Sequence, residues 1–359
     1  MKKIGILVYD ISLTGGAERV AINMANEFSS KYEVHLISVF NENKINFEDE
    51  KKYAIYNVSS KTLKITTNLF KLAKRIKKYL LENKIEILFS ITAGVNTLAV
   101  MATRHTSIKA IYCEHSNLKN RTYGVKHILR QYIGAKCMNK IVTLTEQDKK
   151  NFIEIFKINP SKIEVIPNWI DIAEKLVNGY RIDSTKIITV GRLEKVKGHN
   201  MLIEVAKKVK EQHKNWSWDL YGDGKYREEI EMSIKLNQLE DFVNLKGNVS
   251  NLSEIYNEYS MFVLTSYYEG FPMVLLDAQM ADLPIISFDC PTGPAEIIED
   301  NVNGFLIKDY NIDDMADKIN ELIENNQKRQ EFSKNAKKNI YKFSKANVVS
   351  KWIDIIEQC

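Results

Sequence analysis

Residues 261–277 read MFVLTSYYEGFPMVLLD, an apolar run followed by a polar loop and then by a second apolar run with helical spacing. The first run, Met261–Leu264, is short and wholly apolar, which is typical of a buried parallel strand. Gly270 and Pro272 mark a loop, and the pattern that follows predicts a helix carrying Asp277. A strand, a loop and a helix in this order are the building unit of an α/β fold with a parallel sheet.

Two carboxylates flank the predicted helix N-terminus, Glu269 in the loop and Asp277 eight residues later. The first N–H groups of a helix lack intrahelical partners and lie at the positive end of the helix dipole, so an anion such as a diphosphate can dock there. Carboxylates beside that anion would accept hydrogen bonds from hydroxyl groups, which a nucleotide sugar has on both its sugar and its ribose. A second interpretation fits equally: Glu269 caps the helix and Asp277 is solvated.

Composition indicates a globular protein with two domains. Of the 359 residues, 44% are hydrophobic and 27% are charged, enough for a large core in each domain. The apolar runs have strand length, well short of the ~20 residues of a membrane span, so neither a spanning helix nor a signal peptide is expected. The four cysteines form no CxxC pair, which favours reduced thiols in the cytoplasm and argues against a zinc site.

Short apolar runs alternate with amphipathic runs of helix length along the whole chain, which predicts βαβ units and parallel sheets. The predicted strands of the first half are 4–8, 34–39, 87–91, 110–113 and 141–144, with helices near 17–29, 62–82, 95–104, 123–137 and 146–156. Those of the second half are 187–190, 218–221, 243–246, 261–264, 285–287 and 305–307. The sequence VIPNWID at 165–171 ends a strand and opens a linker, so two Rossmann-like domains facing a cleft are expected.

Two loops offer groups that bind phosphate. Residues 14–19, TGGAER, follow the first strand, and the adjacent Gly15 and Gly16 let the backbone approach a ligand, although a tight structural turn explains them as well. Residues 191–198, GRLEKVKG, follow the first strand of the second half, where Arg192 and Lys197 offer permanent positive charge. A complete GxGxxG and a GxxxxGK[ST] are absent here, which argues against a dehydrogenase and a P-loop nucleotidase.

The segment 269–272, Glu-Gly-Phe-Pro, resembles the start of the Glu-x7-Glu signature of retaining GT-B glycosyltransferases of family 4, although the second acid is Asp277 here. The other loops occur in the order seen in that family, so the resemblance covers nearly the whole chain. It implies a GT-B fold with an acceptor-side domain at residues 1–167, a nucleotide-sugar domain at 171–344, and a last helix at about 345–359 that crosses back onto the first domain.

The resemblance also implies a reaction. A hexose or N-acetylhexosamine would move from a sugar nucleotide, with UDP-sugar as the expected donor, to a glycan acceptor that is lipid-linked, in surface polysaccharide biosynthesis. The anomeric configuration would be retained without a metal ion or a cofactor. The catalytic residues implied are Glu269, His115, Arg192 and Lys197. The donor contacts implied are Gly15, Gly16, Gly247, Asn248, Gly270, Phe271, Pro272, Val274, Leu275 and Asp277.

Within that assignment each side chain has an implied role. Glu269 would bind sugar hydroxyls, Arg192 and Lys197 the diphosphate, and Asp277 the ribose, with a reach shorter than that of glutamate by about 1.5 Å. His115 follows a buried strand within a polar cluster. It would position the transferred sugar and stabilise charge. Two alternatives stay open, a GT-B sugar-nucleotide epimerase or phosphorylase and a non-catalytic subunit that binds glycan or a partner protein.

The charge of the chain is unevenly distributed. Residues 1–170 contain 27 Lys and Arg against 15 Asp and Glu, a net charge of +12, and the remainder has a net charge of −7. The segment 61–84 predicts a basic amphipathic helix whose apolar stripe fits an ordinary core contact, and whose cations favour an anionic membrane surface. Its basic residues are not interleaved with aromatic ones, which argues against nucleic acid. We therefore expect a cytoplasmic protein, peripheral on the inner face of the membrane.

Overall fold

A computed structural model describes residues 1–13, 15–41, 52–61, 63–120, 124–172, 180–249 and 251–359. Thr14, Thr62 and Tyr123, which the sequence analysis placed in a loop and in two helices, lie outside the described residues. The chain divides into two compact units, which we call the first unit (residues 1–168 and 349–359) and the second unit (residues 169–348).

The first unit is built on a parallel sheet that has seven strands in the described part of the chain, in the order β3-β2-β1-β4-β5-β6-β7. Its strands are β1 (Lys3–Asp10), β2 (Glu33–Phe40), β3 (Ala54–Ser59), β4 (Ile87–Ile91), β5 (Lys109–Cys113), β6 (Lys140–Thr143) and β7 (Ile163–Val165). Its helices are α1 (Gly16–Phe28), α2 (Ile65–Glu82), α3 (Asn96–Thr103), α4 (Val125–Cys137) and α5 (Glu146–Phe156).

The second unit repeats this plan with a parallel sheet of six described strands in the order β10-β9-β8-β11-β12-β13. Its strands are β8 (Lys186–Val190), β9 (Ser217–Tyr221), β10 (Val243–Gly247), β11 (Met261–Leu264), β12 (Ile285–Phe288) and β13 (Gly304–Ile307). The helices that follow are α6 (His199–Gln212), α7 (Arg227–Leu236), α8 (Leu252–Ile255), α9 (Met273–Met280), α10 (Pro294–Ile297), α11 (Ile312–Glu324), α12 (Asn326–Asn335) and α13 (Lys345–Gln358).

The last helix, α13, returns to the first unit, as the sequence predicted. The indole of Trp352 packs edge-on against the ring of Phe28 on α1 at 6.2 Å and that of Phe89 on β4 at 5.6 Å between ring centroids. Lys2 donates a hydrogen bond from its side-chain ammonium to the carbonyl of Ile356 at 2.7 Å. The end of the chain therefore completes one face of the first sheet.

All eleven predicted strands are present, and the structure adds β3 and β7. Both added strands lie at the edges of the first sheet. β3 is half exposed and polar at Asn57, and β7 has only three residues, so neither produces the continuous apolar run that identifies a central parallel strand. The fold class predicted from the sequence, two Rossmann-like α/β domains, is confirmed.

Candidate active site

Residues 261–277 form the predicted strand, loop and helix. β11 is fully buried between β8 and β12, and α9 begins at Met273 with Pro272 as its N-cap and no side-chain cap. The N–H of Leu275 donates to the carbonyl of Pro272 at 2.9 Å. That amide, one of two predicted to face a diphosphate, is therefore already engaged within the first turn of the helix.

An ion pair lies in the loop that precedes α9. The ammonium of Lys197 donates to Glu269 Oε1 at 2.7 Å, and the hydroxyl of Ser266 donates to the same oxygen at 2.6 Å. The Glu269 side chain is only 9% exposed and that of Lys197 20%, so the pair is shielded from solvent. The sequence predicted both residues for the site, and the structure brings them into direct contact although they lie 72 positions apart.

Lys197 is held by a tight contact between two loops. It ends a short 3₁₀ turn, Lys195–Lys197, and Gly198 follows with a φ of 65°. A Cβ atom at Gly198 would collide with the carbonyl oxygen of Thr265, so this position requires glycine in both conformation and space. The hydroxyl of Thr265 donates to the carbonyl of Lys197 at 3.1 Å, and the N–H of Tyr267 donates to that of Val196 at 2.9 Å.

The segment 289–296, which follows β12, supports the same loop. The hydroxyl of Thr292 donates to the backbone carbonyl of Glu269. Gly293 has a φ of 98°, and a Cβ atom there would collide with the ring of Pro272. Burial raises the pKa of the Cys290 thiol, and the nearby charge of Glu269 raises it further. Residues on three loops thus fix the position of Glu269.

Arg192 and Asn248 differ from the Lys197–Glu269 pair because both are exposed. The guanidinium of Arg192 is 71% exposed and pairs with Glu194 at 3.1 Å. Asn248 follows Gly247 at the end of β10, where Gly247 has a φ of 72° and its carbonyl accepts from the N–H of Gly222 at 2.8 Å. These groups lie at the carboxyl edge of the second sheet.

Asp277 and Phe271 lie on either side of the α9 N-terminus. Phe271 is buried and packs edge-on against Phe343 at 5.3 Å, so its side chain belongs to the core, while Gly270 beside it is partly exposed. Asp277 is partly buried near Tyr256. Burial raises the pKa of Tyr256 well above its usual range, and the charge of Asp277 raises it further. Whether Asp277 reaches a ribose stays a prediction.

In the first unit, the predicted glycines lie at a helix N-terminus. Gly15 is the N-cap of α1, Gly16 is its first residue, and no side chain caps the helix. Glu18 stands in the first turn, and a Cβ atom at Gly15 would collide with its carboxylate. That carboxylate is the end of a flexible side chain that can move aside, so this contact does not by itself require glycine, and the structural and functional interpretations of the turn both stay open.

His115 follows β5 in the first unit and is an unusual histidine. Both ring nitrogens are buried and have no hydrogen-bond partner among the residues that the structure describes. Burial lowers the pKa of His115 to about 4, so the ring is neutral at physiological pH. A neutral imidazole has one donor and one acceptor nitrogen, which suits a group that orients a hydroxyl and not one that carries charge.

The acid next to His115, Glu114, was not predicted as a site residue. Its side chain is 1% exposed and accepts hydrogen bonds from Tyr112, from the N–H of Ser116 at 2.8 Å and from the amide of Gln131 at 2.9 Å. Asp148 on α5 is also buried, and burial followed by the charge of Glu114 raises its pKa to about 7. No sequence signal separated Glu114 from a solvated acid, because it follows directly after the last residue of β5.

Two further findings concern the described residues as a whole. No group of three or more His, Cys, Asp or Glu side chains in these segments is arranged to hold a metal ion. Among the helices of the same segments, none is long and apolar enough to cross a bilayer.

The sequence and the structure were compared with known proteins. The profile of glycosyl transferases group 1 matches residues 174–339, and that of Glycosyltransferase Family 4 matches residues 14–174. The amylovoran biosynthesis glycosyltransferase AmsD of Erwinia amylovora is 30% identical over 99% of this chain and 100% of its own length.

Two more proteins extend this comparison. An N-acetylgalactosamine-N,N'-diacetylbacillosaminyl-diphospho-undecaprenol 4-alpha-N-acetylgalactosaminyltransferase of Campylobacter jejuni is 26% identical over 97% of each chain. The crystal structure of Anabaena Alr3699/HepE in complex with UDP superposes with a TM-score of 0.85 over 100% of both chains at 17% identity, which shows a shared fold. The chain therefore belongs to the glycosyltransferases, as an enzyme with the two-domain GT-B fold.

Proposed function

We propose that this enzyme transfers a hexose or N-acetylhexosamine from a UDP-sugar to a lipid-linked glycan, with retention of the anomeric configuration, in surface polysaccharide biosynthesis. The observation that carries the proposal is the shielded contact of Lys197 with Glu269 at 2.7 Å, beside the N-terminus of α9. An ammonium next to a carboxylate at the carboxyl edge of a parallel sheet suits a donor that joins a diphosphate to a hydroxyl-rich sugar.

The two side chains divide the chemistry between them. Transfer breaks the bond from sugar C1 to the diphosphate oxygen and forms a bond from C1 to the acceptor oxygen, while the acceptor proton leaves on the diphosphate. The diphosphate gains negative charge as it departs, and a fixed ammonium stabilises that charge. An ammonium has three N–H donors and Lys197 uses one for Glu269, so two others are directed elsewhere. Glu269 would accept hydrogen bonds from the sugar hydroxyls.

The remaining assigned residues take supporting roles. Exposed Arg192 would meet the outer phosphate, and the backbone at Gly247 and Asn248 would hold the base. His115, neutral and without a recorded partner, would accept or donate one hydrogen bond to position the sugar. We propose that no metal ion is required, because Lys197 and Arg192 supply the positive charge that a divalent ion supplies to a diphosphate elsewhere.

The acceptor and location are proposed from the relatives and from charge. The Campylobacter jejuni relative acts, by its name, on a diphospho-undecaprenol-linked saccharide. A lipid-linked acceptor requires the enzyme to work at a membrane, and the net charge of +12 over residues 1–170 favours an anionic surface. We propose a cytoplasmic enzyme, peripheral on the inner leaflet. The epimerase and the non-catalytic alternatives are not favoured by the named glycosyltransferase relatives.

A panel of sugar nucleotides tests this function in two steps. Thermal shift with UDP-, GDP- and ADP-sugars identifies the donor, because a ligand that binds only the folded state raises the melting temperature. The donor found is then incubated with lipid-linked saccharides, and the anomeric configuration of the product is read by NMR, with and without chelator. An inverted linkage, a GDP-sugar donor or a strict requirement for Mg²⁺ would each overturn the corresponding part of the proposal.

A further inference from the structure

α4 exposes an apolar stripe to solvent. Its side chains, which we call the α4 stripe, are Val125, Ile128, Leu129 and Tyr132, with exposed fractions of 83%, 42%, 55% and 44%. Offsets of three, four and seven residues place all four on one face of the helix. Single exposed apolar residues are ordinary, but a set on one helix face indicates an interaction surface.

The surroundings of the stripe are positively charged. α4 contains Lys126, Arg130 and Lys136 and no acidic residue. α2 lies in the same layer, because α3 packs against both helices. Lys71 and Lys74 on α2 are exposed and point away from the core side of that helix. An apolar face with cationic flanks is complementary to an anionic bilayer, whose interface accepts apolar side chains and whose headgroups accept the charges.

A second copy of the chain fits this surface poorly. A two-fold contact over α4 would bring the cations of one copy close to the cations of the other, with no acid on the helix to offset them. Anionic headgroups remove that repulsion.

We infer that the α4 stripe inserts into the interface of an anionic bilayer while the lysines of α2 and α4 contact its headgroups. The inference rests on the lipid-linked acceptor of the proposed function. In a parallel sheet with crossover helices, helix N-termini lie at the carboxyl edge of the sheet. Val125 and Leu129 are in the first two turns of α4, so the inserted residues lie at the edge where His115 follows β5. A lipid anchor in that bilayer would place its saccharide near this edge.

The sequence predicted membrane contact through α2, and the structure adds α4 as the helix with an exposed apolar stripe. The predicted stripe of α2 is core, since Leu72, Ala73, Ile76 and Leu80 are buried. Two cations on α2 also stabilise the fold: Arg75 donates to the carbonyl of Val58 at 3.0 Å, and Lys77 donates to the carbonyl of Arg104 at 2.6 Å. α2 therefore contributes charge and one exposed aromatic side chain, Phe70, which is 80% exposed, and α4 contributes the continuous apolar stripe.

Co-sedimentation of the full chain with phosphatidylcholine vesicles, with and without phosphatidylglycerol, tests the inference. Val125→Ser with Leu129→Ser should lower binding to anionic vesicles at least about tenfold and remove the binding that survives high salt. Lys71→Gln with Lys74→Gln should instead remove mainly the salt-sensitive part. A tryptophan placed by Leu129→Trp should be quenched by brominated lipid beyond the wild-type level.

The matched control is the pair Met232→Ser with Leu236→Ser on α7. These residues are 67% and 76% exposed, have the same four-residue spacing, and lie in the second unit. Their replacement should leave vesicle binding unchanged. Wild-type binding by Val125→Ser with Leu129→Ser would overturn the inference. The inference would also be overturned if light scattering showed that the wild type is a dimer and that this variant is a monomer with unchanged vesicle binding. The stripe would then join two copies of the chain.

Failure of the proposed function gives a different pattern. Transfer to a short-chain, water-soluble acceptor should be equal in the wild type and in the α4 variant, while transfer to a vesicle-embedded acceptor falls only in the variant. If no acceptor is glycosylated but the α4 variant still loses vesicle binding, the reaction proposed is wrong and the membrane surface stands. If both acceptors are used equally by both proteins and binding is unchanged, the surface is wrong and the reaction stands.

Discussion

The loop around Glu269 and the loop around His115 both follow a buried strand of a parallel sheet, yet their polar groups are satisfied in opposite ways. Glu269 Oε1 accepts from Lys197 and Ser266, and its backbone carbonyl accepts from Thr292. Both ring nitrogens of His115 are buried without a recorded partner in the described part of the chain. A buried polar group without a hydrogen bond costs about 1–3 kcal/mol, so the His115 loop carries a cost that the Glu269 loop does not.

The contrast indicates how rigid each loop is before a substrate binds. The Lys197 loop and the Glu269 loop hold each other through side-chain and backbone bonds, so their geometry is set in advance, which suits stabilisation of a departing diphosphate. The loop at His115 is held by its neighbours in sequence, because Glu114 accepts hydrogen bonds from the N–H and the hydroxyl of Ser116, while the imidazole itself has no recorded partner in the described part of the chain. We therefore expect the second-unit residues to act as one coupled group and His115 to act alone.

The largest effect should come from breaking the coupled pair. Lys197→Met or Glu269→Gln should each lower kcat/KM at least about 100-fold, close to 2.7 kcal/mol of transition-state stabilisation. The double variant should fall within about tenfold of the worse single variant, because each change removes the same 2.7 Å contact. Steady-state kinetics measure all three.

Lys195→Met is the matched control, since Lys195 lies on the same 3₁₀ turn and is exposed. It should stay near wild-type activity, and Glu269→Gln should change the melting temperature much less than the rate. Fully additive effects of Lys197→Met and Glu269→Gln would contradict the coupling, and activity of Glu269→Gln within about twofold of wild type would remove Glu269 from the mechanism.

His115 should give a smaller, uncoupled effect. His115→Ala should lower kcat about 10- to 100-fold, and His115→Gln, which keeps a donor and an acceptor, should recover part of it. Burial lowers the pKa of His115 to about 4. The wild-type pH profile of kcat/KM should therefore contain no step near pH 6.5 that disappears in the His115→Gln variant. Such a step would mean that the charged imidazole takes part in catalysis and that His115 does not act as a neutral positioning group.

Arg192 should give a smaller effect again. It is 71% exposed, so Arg192→Met should weaken UDP binding by about 3- to 10-fold, with a loss that shrinks as salt rises. Arg181 is a close control, because it is 58% exposed and also pairs with an acid two residues later, Asp183 at 3.2 Å. Calorimetry should find UDP binding by Arg181→Met unchanged; equal losses in the two variants would assign the effect to net charge.

The strands were predictable because a strand buried on both faces is mostly or wholly apolar, as at β11 and β13. The edge strands β3 and β7 escape that rule. Within the site, the motifs predicted Lys197 and Glu269 because glycines and prolines mark the turns around them. The 2.7 Å contact between them was not predictable, since sequence places residues at a sheet edge and leaves the distance between loops open.

Burial of individual side chains was the property that the sequence predicted least well. α2 and α4 show the same amphipathic spacing, but only the structure shows that the apolar face of α2 is covered and that the α4 stripe is exposed. Periodicity tells which residues share a face, while neighbouring helices decide whether the face is covered. The same holds for Glu114, an acid after a strand that reads as solvated and is 1% exposed.

The smallest effect concerns stability in the His115 region and sharpens the contrast without touching the reaction. Asp148→Asn replaces a carboxyl whose folded pKa is raised to about 7 from 3.8. Between these values the folded state binds more protons than the unfolded state, so this group lowers the free energy of unfolding as pH rises from about 4 to 7. The free energy of unfolding of the variant should match that of wild type near pH 4 and exceed it by at least about 1 kcal/mol at pH 8, measured by urea denaturation.

The control is Glu146→Gln, which changes an exposed acid in the first turn of the same helix and should show no such increase. A difference in the free energy of unfolding between Asp148→Asn and wild type that stays constant from pH 4 to pH 8 would mean that Asp148 is ionised in the folded protein. The first unit would then stabilise its buried charges as fully as the second unit stabilises that of Glu269.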